Sequence, residues 1–186
     1  MRIVSGLFGG RRLKEPKNRD IRPTSDKVRG AVFNMLGSRG AIEGVYVLDC
    51  FCGTGALGLE AVSRGAAACT FIDKARDSLD LARVNAEILE VNADFILKDA
   101  CKIGAVGGGR KPAGLVFLDP PYGKDLLFPA LEALVKGGWM ADGAWVVCES
   151  EKSFSGAFPP SFMTEEERVY GDSKIVLLRY QAMTPV

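Results

Sequence analysis

Short, unbroken apolar runs alternate with helical patterns along most of the chain, and this alternation constrains the fold more than any other feature. The runs occupy residues 45–48, 67–72, 95–97, 115–118 and 144–148. Helical patterns lie between them at 56–63, 75–89 and 126–135. Strands that lack polar alternation are buried on both faces, which is typical of a parallel sheet covered by helices. The sequence therefore predicts an α/β fold with a mostly parallel sheet.

The two ends of the chain carry hairpin patterns instead. Near the start, Ile3 and Leu13 flank a turn at Gly9-Gly10, which predicts a short β-hairpin. Near the end, apolar residues within 167–170 and 174–180 flank a short turn, which predicts a closing antiparallel hairpin. The two closing strands and the five apolar runs together make a sheet of seven strands.

A basic extension precedes the alternating part of the chain. Residues 1–40 hold ten Lys or Arg against three Asp or Glu, a local charge of +7, whereas residues 41–186 hold fourteen against twenty. Within the extension, Thr24 can cap a helix whose apolar positions in 28–36 recur at helical spacing. The charge favours a polyanion-binding surface, although runs of charge more often form an ordinary solvated face. We divide the chain into this extension, 1–40, and a main domain, 41–186.

The chain has no histidine, and this excludes several kinds of enzyme. Ser-His-Asp hydrolases, Cys-His proteases and HExxH metalloproteases all need the imidazole. The five cysteines form no CxxC pair, so neither a zinc site nor a disulfide framework is expected. No apolar run approaches the ~18 residues of a membrane span, and the charged start carries no secretion signal. We therefore expect a cytoplasmic protein that binds neither a metal nor a membrane.

A glycine-rich segment follows the first predicted strand. Gly53, Gly55 and Gly58 match GxGxxG between a strand and a helix, the arrangement of nucleotide-binding turns. Asp49 stands just before these glycines, where its charge would repel the diphosphate of a dinucleotide. The segment therefore favours a ligand that combines adenosine with a positive charge. We assign to its site Asp49, Phe51, Gly53 and Gly55.

Two further carboxylates follow the second and third apolar runs. Asp73 comes about twenty residues beyond the glycines and is suited to hydrogen-bond a ribose diol. Asp99 has two interpretations, an acceptor for an adenine amino group or the N-cap of a helix. Because ligands of open α/β sheets bind outside the carboxyl ends of the strands, we assign both residues to the cofactor site.

The most specific signal is Asp119-Pro120-Pro121-Tyr122, directly after the fourth apolar run. The two prolines stiffen the loop and remove two N–H donors, which leaves a carboxylate and free carbonyls as acceptors. Such a site suits a ligand with an NH2 group, and the tyrosine ring can stack on a planar base or amide. We therefore predict that these four residues form a catalytic site.

With these motifs the sequence resembles a known family, the bacterial 16S ribosomal RNA guanine-N2 methyltransferases of the class I, S-adenosylmethionine-dependent superfamily. The resemblance covers nearly the whole chain and rests on residues 2–6, 10–13, 22–29, 33–36, 48–61, 63–66, 119–122 and 170–172. It implies a Rossmann-like class I methyltransferase domain at 41–186, with a mostly parallel seven-stranded sheet and a C-terminal antiparallel hairpin. The extension at 1–40 would add a small β-hairpin and a helix that face RNA.

The resemblance also implies a reaction. It is methyl transfer from S-adenosylmethionine to the exocyclic N2 of one guanine in small-subunit ribosomal RNA, with S-adenosylhomocysteine as the product and without a metal. The substrate is either naked RNA or an assembling small subunit, and the protein is expected to act as a monomer. By resemblance and by charge, five residues would hold the RNA backbone: Arg11, Arg12, Arg22, Lys27 and Arg29.

Other functions stay open on the residues alone. Methylation of adenine N6 in DNA or RNA, and methylation of glutamine in a protein, also present an NH2 group to the tetrapeptide. A nicotinamide dehydrogenase would use the glycine-rich segment but would leave the tetrapeptide without a role. A catalytically silent RNA-binding module would use the extension and leave Asp49, Asp73 and Asp119 unexplained.

Overall fold

The computed structural model describes residues 1–16 and 26–183. The α-helices within these ranges are α1 Asp26–Gly37, α2 Ala56–Ser63, α3 Arg76–Ile88 and α4 Leu127–Lys136. The strands are β1 Tyr46–Cys50, β2 Ala68–Asp73, β3 Asp94–Leu97, β4 Ala113–Leu118, β5 Met140–Glu151, β6 Phe162–Tyr170 and β7 Ser173–Tyr180. A 3-10 turn spans Ala100–Lys102. None of the helices in the described part of the chain is long and apolar enough to cross a membrane.

The seven strands form one sheet in the order β3-β2-β1-β4-β5-β7-β6. Neighbouring strands from β3 to β5 are parallel, and β7 is antiparallel to both β5 and β6. The predicted mostly parallel sheet with a closing antiparallel hairpin is therefore confirmed. The strand order reverses direction at β1 and β4, and open α/β sheets bind their ligands outside the carboxyl ends of the strands at such a point.

The central strands are buried on both faces, as their unbroken apolar runs predict. In β4, Leu115 and Phe117 belong to the hydrophobic cluster that contains Leu59 of α2. Val116 points to the opposite face, where Leu134 of α4 belongs to a second cluster. Burial of one such side chain contributes roughly 1.5 to 3 kcal/mol. Packing on both faces therefore fixes the position of the strand ends that carry the candidate site.

The basic extension packs onto the main domain. In its hairpin, the Ile3 amide donates a hydrogen bond of 2.9 Å to the Arg11 carbonyl, and Arg2 and Arg12 form an antiparallel bridge. Ile3 and Leu13 are buried in the same hydrophobic cluster as α2. The hairpin prediction is therefore confirmed, and its apolar residues share the core of the main domain. The predicted helix cap, Thr24, lies outside the described residues.

Two strands extend beyond their apolar runs. β5 begins at Met140 rather than at residue 144, and β6 begins at Phe162 rather than at residue 167. β6 is the edge strand of the sheet, and its early part carries three consecutive glutamates, 165–167. Edge strands often carry charged residues because the charges hinder pairing with another chain. A search for apolar runs therefore misses the charged part of β6.

Candidate active site

The carboxyl ends of three adjacent strands bring the main sequence-predicted carboxylates to one edge of the sheet. Asp49 lies near the end of β1, Asp73 ends β2, and Asp119 directly follows β4. β1 pairs with both β2 and β4, so its carboxyl end lies between the other two. Asp99 follows β3, one strand further along the same edge.

The turn between β1 and α2 requires glycine at two positions for different reasons. Gly55 has a φ of 76°, in the left-handed region, and directly precedes α2. A Cβ on Gly58 would lie 2.5 Å from both Cys69 Sγ and Phe71 Cε1 of β2. Because Gly58 lacks a side chain, α2 packs directly on β2 and the turn stays close to the sheet. Phe51 in this turn also has a positive φ, 59°, which is uncommon for a residue with a Cβ.

Asp49 is buried behind the glycine turn. Its Oδ2 accepts a hydrogen bond of 2.9 Å from the amide of Gly58, in the first turn of α2. Burial raises the pKa of Asp49 to about 8, and the charge of Asp73 adds to this effect, whereas the hydrogen bond from Gly58 lowers the pKa. With this pKa the side chain is mostly uncharged at neutral pH, so it does not supply the negative charge that we expected beside the glycines. The side chain joins β1 to the start of α2, and its role at a cofactor stays a prediction.

Asp73 is half-buried and supports the glycine turn from the second strand. Its Oδ2 accepts from the Gly53 amide at 3.1 Å, and its Oδ1 accepts from the Ala75 amide at 2.8 Å. A carboxylate offers about four lone-pair sites, so both oxygens keep acceptor capacity for a diol. The two backbone bonds fix the orientation of the side chain, while the predicted ribose contact stays a prediction.

Asp99 caps the 3-10 turn. Its Oδ1 accepts a hydrogen bond of 3.0 Å from the Cys101 amide. The capping interpretation of this residue is therefore confirmed. The cap occupies one oxygen of a half-buried carboxylate, so a contact between the other oxygen and an adenine amino group stays a prediction.

The tetrapeptide forms the loop after β4. Asp119 and Tyr122 are half-buried, Pro120 is buried and Pro121 is exposed. The hydroxyl of Tyr122 donates to Glu149 Oε1 at 3.0 Å and lies 2.7 Å from Ser173 Oγ. These contacts with β5 and β7 fix the ring beside Asp119. Burial raises the pKa of Tyr122 to about 12, and the charge of Glu149 adds to the rise, so the hydroxyl keeps its proton at neutral pH.

A cavity of about 310 Å³ adjoins this loop, between the ends of β4 and β5. Aromatic and aliphatic side chains line one part of it, and the carboxylates of β5 line another. The lining includes Tyr122, Gly123, Phe128, Ser153 and Phe154, together with Glu149 and Glu151. Apolar walls with a few polar groups are typical of small-molecule sites, and this volume is at the lower end of their range, roughly 300 to 1,000 Å³.

The five residues assigned to RNA have different environments. Arg12 and Lys27 are exposed. Arg11 is exposed as well, but its Nη2 donates to the Ile88 carbonyl at 2.5 Å, which ties the side chain to α3. Arg22 lies outside the described residues. Within the described part of the extension, Arg12 and Lys27 are therefore the better candidates for phosphate contacts.

Arg29 does not fit its assignment to RNA. Its side chain is 0% exposed, and its Nη2 donates to the Arg2 carbonyl and, at 2.8 Å, to Asp26 Oδ1. Its Nε lies 3.7 Å from Glu60 Oε2. A guanidinium buried among these groups has no surface to offer an RNA phosphate. A count of charges along the chain cannot show on which side of a helix the charge lies.

Sequence reasoning missed the residues that join the extension to the glycine turn. The side chain of Asn85, in α3, is fully buried and donates to the carbonyls of Thr54, at 2.9 Å, and Lys14, at 3.1 Å. Its Oδ1 accepts from the Lys14 amide at 2.7 Å. Asn85 follows the buried positions Leu79 and Ala82 at helical spacing, and a polar residue on an apolar stripe was the signal that could have found it.

The chain is similar to known proteins over nearly its whole length. A family model described as conserved hypothetical protein 95 matches residues 1–179. Ribosomal RNA small subunit methyltransferase D of Escherichia coli strain K12 is 36% identical over 184 residues, covering 98% of this chain and 91% of that protein. The Haemophilus influenzae protein of the same name is 29% identical over 174 residues, covering 92% and 89%.

A solved structure shows the same fold. The chain resembles the Escherichia coli protein yhhF with a TM-score of 0.84 and 34% identity, covering 98% of this chain and 99% of that one. The family match spans the extension, the glycine turn and the tetrapeptide alike. The chain therefore belongs to the conserved hypothetical protein 95 family and is a methyltransferase with a Rossmann-like fold.

Proposed function

We propose that the protein transfers a methyl group from S-adenosylmethionine to the exocyclic N2 of one guanine in small-subunit ribosomal RNA. The observation that carries the proposal is Asp119-Pro120-Pro121-Tyr122 at the end of β4, beside a cavity of about 310 Å³. The choice of RNA is supported by the Escherichia coli relative, whose name is Ribosomal RNA small subunit methyltransferase D.

The residues at the ends of β1 and β2 fit the cofactor. S-adenosylmethionine, when bound, supplies an activated methyl group on a positively charged sulfur. Asp73 has spare acceptor capacity for the ribose hydroxyls, and Asp49 lies behind the turn that would hold the amino-acid part. The Gly58 amide already donates to Asp49, so this helix start offers one free donor fewer to a pyrophosphate. This contact disfavours the dehydrogenase alternative.

The tetrapeptide would prepare the guanine amine for attack. The amine lone pair is delocalised into the purine ring, so the amine is a poor nucleophile. Asp119 and the Pro120 carbonyl would accept from its two N–H groups, which favours a more tetrahedral nitrogen and stabilises the positive charge that develops there. Pro120 and Pro121 carry no N–H, so the loop presents acceptors to this amine without competing backbone donors.

Tyr122 would hold the base by its ring. Its hydroxyl is engaged by Glu149 and Ser173 and keeps its proton at neutral pH, so the hydroxyl is a poor candidate for a catalytic base. The half-buried ring remains for stacking on a base that has been turned out of its RNA helix, a contact worth about 1 to 3 kcal/mol. Arg12 and Lys27, together with Arg22, would contact the RNA backbone.

The test compares ribosomal RNA from cells with and without the gene by mass mapping of methylated nucleosides. We expect one N2-methylguanine in the small-subunit RNA to disappear without the gene and to return when purified protein and S-adenosylmethionine are added. Naked RNA and purified small subunits are assayed separately to identify the substrate. Loss of an N6-methyladenine or a methylglutamine instead would support one of the alternative amine substrates.

A further inference from the structure

Two glutamates at the end of β5 face the cavity beside the tetrapeptide, and they differ in their partners. Glu149 is buried and accepts the hydrogen bond of the Tyr122 hydroxyl at 3.0 Å. Glu151, the last residue of β5, is half-buried, and its Oε2 lies 3.5 Å from the Ser153 hydroxyl. Hydrogen bonds between oxygens are commonly about 2.7 to 2.8 Å, so the contact with Ser153 is weak.

Glu151 lies directly against the catalytic loop. A Cβ on Gly123, the residue after Tyr122, would be 3.7 Å from Glu151 Oε1. Within residues 1–16 and 26–183, no Lys or Arg forms an ion pair with Glu151. The two oxygens of the Glu151 carboxylate therefore lie at the wall of the cavity as hydrogen-bond acceptors. In the described part of the chain, their one side-chain partner is the Ser153 hydroxyl, at 3.5 Å.

Acceptors at this place match one edge of guanine. The Watson–Crick edge of guanine presents the N2 amine and, next to it, the N1–H, so it offers donors on adjacent atoms. The corresponding edge of adenine presents the N6 amine beside N1, which is an acceptor. Enzymes that turn a base out of its helix read it by hydrogen bonds to this edge. A carboxylate in the wall of this cavity, beside the loop that carries Asp119, would therefore accept from guanine N1–H and would oppose the N1 lone pair of adenine.

We propose that Glu151 accepts the N1–H of the target guanine while its N2 amine lies at Asp119, and that Glu151 thereby selects guanine over bases with an acceptor at N1. The inference rests on the proposed function and names a residue that determines its specificity. Phe128 and Phe154 give the cavity aromatic walls suited to a planar base, and a volume of about 310 Å³ suits one base rather than several.

The test uses RNA in which the mapped guanine is replaced by 2-aminopurine. This analogue keeps the 2-amino group but has an acceptor at N1 in place of the N–H. For the wild-type protein we expect kcat/KM to fall by about 100-fold or more, because a site built around a donor rejects a ligand that lacks it. The measured quantity is the ratio of kcat/KM for the guanine and 2-aminopurine RNAs.

The Glu151→Gln variant supplies the second measurement. A glutamine amide can turn its NH2 toward the N1 acceptor, so we expect a lower rate on guanine and a guanine to 2-aminopurine ratio of about 10 or less. Glu132→Gln, at an exposed position of α4, is the matched control and should keep the wild-type ratio. A defect that is only structural would lower both rates together and leave the ratio unchanged.

Two results would overturn the inference while leaving the proposed function intact. One is a wild-type protein that methylates guanine and 2-aminopurine RNAs equally well. The other is a Glu151→Gln variant that binds cofactor normally and keeps the wild-type ratio. A wild-type protein that places no methyl group on guanine N2 would instead contradict the proposed function, and the inference would fall with it.

Discussion

At the scale of single residues, the carboxylates of the site differ in what surrounds them. Asp119 is half-buried beside two prolines, whereas Asp49 is fully buried and bonded to the start of α2. Asp73 is held by two backbone amides. The hydrogen bonds of Asp49 and Asp73 hold the glycine turn in place, whereas Asp119 lies in the loop after β4.

Substitution of Asp119 should separate the contribution of its charge from that of its acceptor atoms. Asp119→Asn keeps one oxygen acceptor but loses the charge, so we expect a partial or complete loss of methyl transfer with cofactor binding retained. Asp119→Ala keeps neither and should be inactive. Transfer of labelled methyl groups to RNA and calorimetric binding of S-adenosylhomocysteine measure the two properties.

Asp80→Asn, at an exposed position of α3, is the control for these substitutions and should be active. Methylation of guanine N2 by Asp119→Ala at a near-normal rate would contradict the proposed mechanism. Loss of cofactor binding in Asp119→Ala would instead mean that the side chain also shapes the cofactor site.

Asp49 should make stability depend on pH. Its pKa is raised from an ordinary 3.8 to about 8 in the folded protein. Between these values the folded state holds a proton that the unfolded state has released, so the free energy of unfolding should decrease as pH rises from about 4 to about 8, and then level off. Asp49→Asn keeps an acceptor for the Gly58 amide and removes this titration.

Urea unfolding of both proteins across this pH range is the measurement. The difference between the wild-type and Asp49→Asn unfolding free energies isolates the titration of Asp49 from that of other groups. A difference that stays constant from pH 4 to pH 9 would show that Asp49 titrates in its ordinary range.

At the scale of elements, sequence patterns locate the strand ends well and the links between elements poorly. Asp73 and Asp119 were found because each follows an unbroken apolar run, and such runs are the parallel strands themselves. Asn85 was missed because a polar residue in a helix is ordinarily exposed, and its partners, Thr54 and Lys14, lie 31 and 71 positions away along the chain. The predicted β6 was too short because glutamates occupy residues 165–167, up to and including the predicted start of the strand.

The link through Asn85 should affect both stability and cofactor binding. Asn85→Ala leaves the carbonyl of Thr54 and the backbone of Lys14 without their partner, and we expect a loss of ~2 to 4 kcal/mol in the free energy of unfolding. Because Thr54 lies between Gly53 and Gly55, affinity for S-adenosylhomocysteine should also decrease. Denaturant unfolding and calorimetry measure the two effects.

Asn92→Ala, at an exposed position after α3, is the matched control and should change neither quantity. If Asn85→Ala proved as stable as that control, the contacts of Asn85 would not be what joins the extension to the glycine turn.

At the scale of the whole molecule, the extension and the sheet edge that carries the candidate active site are parts of one packed body. Glu60 of α2 accepts from the amides of Val4 and Ser5, at 2.7 and 3.0 Å, and from Arg64 at 2.7 Å. Arg29 lies at the same cluster. The sequence shows that the extension is basic, but only the fold shows that part of this charge holds the extension in place.

The remaining exposed charge of the extension should bind RNA phosphates. The double variant Arg12→Ala, Lys27→Ala should weaken RNA binding and leave cofactor affinity unchanged, because both side chains are exposed and neither is assigned to the cofactor site. Each lost phosphate contact should reduce the slope of log affinity against log salt concentration by roughly 0.7 to 0.9.

Lys136→Ala, at an exposed position in the last turn of α4, is the control and should keep the wild-type slope. Arg29→Ala should lower stability instead, since it removes a buried charge from Glu60 and Asp26. An unchanged salt slope in the folded double variant would place Arg12 and Lys27 on an ordinary solvated surface.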